Sequence, residues 1–422
     1  MINSEDRARL RELGTKIAET AFLPEQERNR ALWRSINDLK PTRPLIHVRD
    51  CPLYMLEFED ELTPVIQDAF LRSIEQSLLL QIYEWNHLRC DRVIEPHIEC
   101  PVVFSDTGFG IDGDKQAVIA AHKDQFRSSI HYEQRIFSVD DVEKIKTPTV
   151  TYDEEATMQR LELLTEIFDG ILPVKLFGRS QFNCTPLDDI MTWTGIDQGM
   201  LFLGLEPEIM HRAAQRYIEA QIARIKQYEA LGILSSNNAF KNVGNNCIGY
   251  TSLLPEPPQS GVGAKIHDIW GESCDQIMTC VSPEMSEEFS FAYEAKWAEQ
   301  FPLYSYGCCE KLDNKLSPLM RYFPNLRKLS CSPYSNFESI VEQTENKSVV
   351  SFKPNSNYLA LGSKPDMDYL EKEIKEACRL AEKYGANIVI NMKTLITLQS
   401  EPWRLWKWCD MAKEVVEAHF GA

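Results

Sequence analysis

No apolar run in this chain approaches the roughly 20 residues that a membrane-spanning helix requires. The opening residues, MINSEDRARLRELG, lack the apolar core of a secretory signal. A basic footprint is missing as well: 45 Lys and Arg face 63 Asp and Glu, a formal net charge of -18. Nucleic-acid binding is therefore not expected, nor is a membrane. The acidic balance leaves room for a cationic partner or cofactor face. Twelve cysteines are present, but no two have the Cys-x-x-Cys spacing, which sets aside the common structural zinc frameworks. A cytoplasmic, reduced protein is expected, with most cysteines acting as small buried hydrophobes. The P-loop spacing and the G-x-S-x-G elbow are both absent.

The 422 residues are 43% hydrophobic and 26% charged, ordinary for a soluble protein. That length allows two or three average domains or one elaborated barrel. Four segments near the C-terminus share one pattern, a β-prone run that stops at chemically capable residues. Leu303 to Gly307 ends at Cys308-Cys309-Glu310, and Leu326 to Leu329 ends at Ser330-Cys331-Ser332-Pro333. Ser348 to Phe352 ends at Lys353-Pro354-Asn355, and Ile388 to Met392 ends at Lys393-Thr394. Parallel strands are buried on both faces and read as continuous apolar runs. In a (β/α)8 barrel, functional groups sit where such strands end. Loop polarity after buried strands gives the same pattern more blandly.

Strand and helix signals alternate along the whole chain. Residues 1–42 read as a charged helical extension. Pro44 to Val48 is a first strand, Glu59 to Leu88 a helix, Asp91 to Phe104 a second strand, and Ile171 to Phe177 a third. Residues 105–150, opened by the turn-rich Asp106 to Asp114, read as an insertion. Pro207 to Gly232 is the clearest helix, with Met210, Ala214, Ile218, Ile222 and Ile225 on one face. Cys247 to Tyr250 is a further strand candidate, and Pro255 to Gly263 a loop. Ser282-Pro283-Glu284 starts another helix, with Ser as cap. Two more run from Asp366 to Tyr384 and from Glu401 to His419. Alternation of this kind calls for a parallel sheet with right-handed crossovers, and seven or eight units fit a TIM (β/α)8 barrel. Residues 1–422 are expected to form a single such domain.

Cys308-Cys309-Glu310 is the sharpest chemical signal, because thiolate sulfur is a soft ligand suited to zinc. A buried structural cysteine pair beside a surface acid is the competing account. Upstream, His267, Asp268, Glu272 and Cys274 crowd the run HDIWGESC, with Gln276 just beyond. Lys353 and Lys393, at the ends of neighbouring strands, could bind a carboxylate or phenolate or donate a proton. Asn355 offers both donor and acceptor at a strand exit that Pro354 stiffens.

The segments ALWRSINDLKPTRPLI (Ala31 to Ile46), VTYDEEATMQRLELLTEIF (Val150 to Phe168), DIWG, SPEMSEEF, YGCCEKLD (Tyr306 to Asp313), PNLRKLSCSP and VVSFKPN resemble the uroporphyrinogen decarboxylase-like superfamily. The resemblance runs nearly end to end, toward a branch found mostly in anaerobic and fermenting bacteria. It implies a TIM barrel and, in the corrinoid-dependent branch, methyl transfer. Two departures narrow it. Porphyrinogen decarboxylases carry Arg-Gln-Ala-Gly-Arg after the first strand, where this chain has Arg49-Asp50-Cys51-Pro52. Zinc methyltransferases of the superfamily carry His-x-Cys at a strand end and a second Cys after the last strand. Here Tyr306-Gly307-Cys308 stands at the first place, and no Cys lies around Lys393-Thr394.

The resemblance therefore implies a methyltransferase moving a methyl group between a small methylated compound and a corrinoid (cobalamin) carried by a separate protein. The chain has no Asp-x-His-x-x-Gly corrinoid signature of its own. On this reading Cys308 and Glu272 are the metal ligands, and Glu310, Lys353, Lys393 and Tyr306 are catalytic. Asp268, Gln276, Asn355 and Ser332 contact substrate, and a homodimer is possible. The alternatives are a metal-free carboxy-lyase on the same barrel, acting on a small carboxylate, and a non-catalytic binding subunit.

Overall fold

The computed structural model describes residues 3–49, 51–111, 115–119 and 129–421. Asp50 and parts of the expected insertion, residues 112–114 and 120–128, lie outside the described residues. The N-terminal extension is two helices, Ser4–Ala21 and Pro24–Asn37. The strands that follow are β1 (Leu45–Val48), β2 (Ile98–Pro101), β3 (Phe104–Asp106), β4 (Lys115–Ile119), β5 (Ser129–Tyr132), β6 (Val150–Tyr152), β7 (Val174–Phe177), β8 (Trp270–Ser273), β9 (Leu303–Tyr306), β10 (Leu326–Cys331), β11 (Val349–Phe352) and β12 (Ile388–Met392). Antiparallel pairs β3–β6 and β4–β5 build the insertion.

The main sheet has six parallel strands in the order β1-β12-β11-β10-β9-β8. The expected barrel strands β2 and β7 pair with each other in a separate parallel ribbon. The hydrogen-bonded pairings thus describe an open sheet of six and a ribbon of two, not the closed ring that alternation alone suggests.

The six-stranded sheet is strongly curled. Asn246 Nδ2 donates to Ser305 Oγ on β9 at 2.7 Å, while the Asn246 carbonyl accepts from Asn391 on β12 at 2.8 Å. Those strands are three steps apart in the order, about 14 Å in a flat sheet at ~4.8 Å per step. One residue reaches both only because the sheet wraps around it. Neighbours of Asn246 fill the rest of the concave side: Asn242 bonds His47 on β1, and Lys328 on β10 donates to the carbonyls of Cys247 and Ile248. The Gly249 carbonyl accepts from the Trp270 indole on β8.

Residues 247–250, expected as a strand, are part of this inserted segment and make only a single bridge, Ile248 to Asn242. The reason lies in the concave face. Its side chains are His47, Glu272, Ser305, Lys328, Ser330, Ser351 and Asn391, all buried. Polar groups in that position need partners, and a loop with free carbonyls and amides supplies them where apolar packing could not.

Other boundaries moved for local reasons. The helix expected from Glu59 begins at Ala69, where Asp68 caps it by accepting from the Leu71 amide. Asp91 to Phe104 splits into β2 and β3. The region between β7 and the long helix Pro207–Ala230 contains two further helices, Pro186–Thr194 and Ile196–Leu205. Among the described residues, no helix is long and apolar enough to cross a membrane.

Candidate functional site

Side chains two residues apart on a strand share a face. Continuing the concave rows His47, Glu272, Ser351 and Asn391 by two therefore gives Arg49, Cys274, Lys353 and Lys393. These four gather at the C-terminal end of the sheet. Gly307, at φ +93, turns the chain there. A Cβ on it would lie 2.9 Å from Leu312 and 3.0 Å from Ser330, so the turn needs glycine. The turn brings Cys308 back over the strand ends.

Cys308 is the hub. Its sulfur lies 3.3 Å from Lys393 Nζ and 3.5 Å from the Cys309 sulfur, and it is within hydrogen-bond reach of the Cys274 thiol. Lys393 also donates to Asn245 Oδ1 at 2.7 Å, and Asn245 Nδ2 bonds the Cys274 sulfur at 3.3 Å. Lys353 donates to the Cys308 carbonyl and to Ser330 Oγ. Glu310 turns back on the same loop and accepts from the Cys308 amide at 2.7 Å.

The electrostatics follow from that geometry. Hydrogen bonds from the Cys274 and Cys309 thiols hold Cys308 well below the usual thiol range. Burial opposes them, and Lys353 and Lys393 add to them. Cys308 is thus a thiolate at neutral pH, and its two thiol neighbours stay protonated. Burial, with the Cys308 charge next, pushes Glu310 up to about 7. Burial also pushes Glu272 up to about 7, against the pull of Arg49. Lys353 is pushed down by burial. One oxygen on each acid, Glu272 Oε1 and Glu310 Oε1, has no hydrogen-bond partner among the described residues.

The structure sorts the expected site residues. Cys308, Glu310, Lys353 and Lys393 come together. Glu272 lies deeper on the same face, against Gly244. Tyr306 does not belong with them: it points outward, donates to Glu294 at 3.1 Å and packs on Phe291 and Phe323. Strand alternation explains this, since Ser305 takes the inward place. Asp268 precedes β8, at the opposite end of the strand, where it accepts from the Lys265 amide. Gln276 is exposed and tied to Asp188. Asn355 and Ser332 cap local turns, accepting from the amides of Asn357 and Tyr334. Arg49 and Asn245 were not foreseen as site residues, and Cys309 and Ser330, noted at strand ends, were given no separate role. The signal that could have found most of them is a period of two, as in Ser351-x-Lys353 and Asn391-x-Lys393.

Among the described residues, no group of three or more His, Cys, Asp or Glu is gathered as metal ligands. The expected pair Cys308 and Glu272 is served by cations of the protein itself, Lys393 at the sulfur and Arg49 near the carboxyl.

No family model matches the chain, and no curated protein matches it. Among solved structures it is similar to a methyltransferase from Methanosarcina mazei, with a TM-score of 0.48 and 11% identity. The match covers 92% of this chain and 98% of that one.

Proposed function

We propose that the chain is a methyltransferase acting at Cys308, moving a methyl group from a small methylated compound to a corrinoid carried by a separate protein. The observation that supports this most is the coupling of Cys308 and Glu310. A thiolate held by its two thiol neighbours, with Lys353 and Lys393 adding to them, lies beside a carboxyl pushed up to about 7, which keeps a proton available at neutral pH. The partner's corrinoid supplies the atom that accepts the methyl group. When the methyl leaves, its former oxygen or nitrogen carries a new electron pair and needs a proton. Glu310 gives that proton, and the negative Cys308 sulfur keeps Glu310 charged with it beforehand. Lys353 and Lys393 orient an anionic part of the substrate. No step runs through a metal.

The same reading takes the curled sheet as part of a TIM barrel. Two side-chain bridges support closure across its open edges. Asp91 accepts from the Ile46 amide at 2.8 Å and returns its own amide to the Ile46 carbonyl at 3.2 Å, just ahead of β2. Asn237 accepts from the Trp270 amide at 2.9 Å and donates to the Trp270 and Ser180 carbonyls, linking β8 to the segments after β7.

The test is a methylation assay with reduced corrinoid protein and a panel of methoxyaromatics and methylamines, alongside Glu310→Gln. Demethylated product that Glu310→Gln loses supports the reading; no product from any donor removes it. A second reading rests on the inward cations Arg49, Lys353 and Lys393, which suit a carboxylate. It is a carboxy-lyase with Glu310 as proton donor. Carbon dioxide release without any corrinoid, with KM raised in Lys353→Ala, would favour it.

A further inference from the structure

The last helix of the chain, Trp403–Phe420, packs against the helix Ala69–His87 that precedes β2. Trp406 stacks on His87 with ring centroids 4.1 Å apart, and its indole donates to the Tyr83 hydroxyl at 2.9 Å. Three residues further on each side, the seam ends in two thiols. Cys90 and Cys409 are 319 positions apart in sequence, yet their sulfurs are 3.5 Å apart.

Both backbones are held from outside the pair. Cys409 sits in mid-helix. Cys90 immediately precedes Asp91, whose carbonyl accepts from the Trp33 indole. The Asp91 carboxylate accepts from Arg43 at 2.6 Å and from the Ile46 amide on β1 at 2.8 Å. A bond between the sulfurs requires them to close in by about 1.5 Å. The pair Cys308 and Cys309 has the same separation, but the two are neighbours in sequence. Consecutive Cα atoms are about 3.8 Å apart, below the ~4.4 Å at which ordinary disulfides begin. Cys90 and Cys409 carry no such restriction.

One of the two sulfurs is also reachable. Cys90 is 9% exposed and lines a cavity of about 250 Å³ with Trp85, Leu88, Arg89 and Lys413. That space is many times what a molecule the size of water takes up, so hydrogen peroxide fits. Cys409 is fully buried behind it.

We propose that Cys90 and Cys409 are a modification site for hydrogen peroxide, which joins them in a disulfide that fastens the last helix to the segment entering β2. The Cys90 sulfur attacks one peroxide oxygen, the O–O bond breaks, and water leaves, giving a sulfenic acid. The Cys409 sulfur then attacks the Cys90 sulfur. An S–S bond forms, and the S–O bond breaks with loss of a second water. The two thiols give up two electrons and two protons in all, and the peroxide is reduced to two waters. The bridge requires nothing of Cys308 and stands whatever reaction occurs there.

The experiment treats the full chain with hydrogen peroxide in steps, blocks the remaining thiols, and reads the unreduced digest by mass spectrometry. The exposed Cys280 is the internal gauge of oxidation. A peptide pair linked through Cys90 and Cys409, released by dithiothreitol and formed at or below the peroxide level that fully oxidises Cys280, supports the site. The melting temperature should then rise by about 2 to 5 °C on oxidation, because the bridge closes a very long loop. That rise should vanish in Cys90→Ala. No linked pair at that peroxide level, or Cys409 linked to another cysteine instead, overturns the site. A linked pair that leaves the melting temperature unmoved overturns its fastening role. The mass-spectrometric result needs no variant, so it decides even if Cys90→Ala does not fold.

Discussion

Lys393 places its ammonium 3.3 Å from the sulfur of Cys308, a residue 85 positions earlier in the chain. The pair closes the end of the curled sheet, because Lys393 follows β12 and Cys308 follows β9. It also adds, after the two neighbouring thiols and Lys353, to what holds the Cys308 thiol ionised. Removing the ammonium in Lys393→Met should raise the Cys308 pKa and move the onset of its reactivity toward higher pH. Iodoacetamide alkylation of Cys308, located by mass spectrometry and followed from pH 5 to 9, reads this directly. Lys393→Arg should keep the low-pH reactivity. An unchanged pH profile in Lys393→Met would show that the two neighbouring thiols alone hold the thiolate.

Three buried acids, Glu272, Glu294 and Glu310, are pushed up to about 7. In the unfolded chain a glutamate titrates near 4.3. Between those values the folded state binds more protons than the unfolded one, so stability falls as pH rises. Each group contributes at most about 1.4 kcal/mol per pH unit. Urea unfolding should therefore give lower stability at pH 7.5 than at pH 5.5. Glu310→Gln, which keeps the shape and cannot ionise, should flatten part of that slope. Equal stability at both pH values would mean that these acids are solvated or paired in solution.

Much of the architecture could be read from the sequence, and the limits have physical causes. Strands β9 to β12 were legible because parallel strands buried on both faces leave continuous apolar runs. The long helix Pro207–Ala230 was legible from its stripe, and Met210, Ala214, Ile218 and Ile225 are indeed buried. Cys308, Glu310, Lys353 and Lys393 lie together because strand ends are where side chains converge. Tyr306 was misplaced because a motif names residues and says nothing of which face each takes. The segment around Asn246 was illegible for another reason. Its partners Ser305 and Asn391 are 59 and 145 residues away, and its shape is set by what it fills, not by its own propensity.

That segment makes a prediction of its own. Asn246→Ala removes the two bonds from Nδ2, to Ser305 Oγ at 2.7 Å and to the Tyr306 carbonyl at 3.1 Å, in a fully buried position. Both acceptors are then left without that donor, so the expected loss is about 2 to 4 kcal/mol of stability. Urea unfolding checks it. A loss below about 0.5 kcal/mol, the surface-substitution range, would show that the segment does not fill the sheet in solution.

Two glycines with similar backbones separate strain from packing. Gly232, at φ +69, follows the long helix and has nothing within 4 Å of a built Cβ. Gly244, at φ +57, would place a Cβ 2.3 Å from Glu272 Oε2 and 2.9 Å from Glu272 Cβ. Its carbonyl also accepts from Arg49 and from Gln181. Gly232→Ala should therefore lose only the left-handed backbone penalty, about 1 to 2 kcal/mol. Gly244→Ala carries the same penalty and must also push Glu272 out of a buried position, so its loss should be larger by about 1 to 3 kcal/mol, the usual toll of overpacking. Thermal or urea unfolding of both variants gives the difference. Equal losses would mean that Glu272 can swing aside freely, and its buried carboxyl would then have a second place to go.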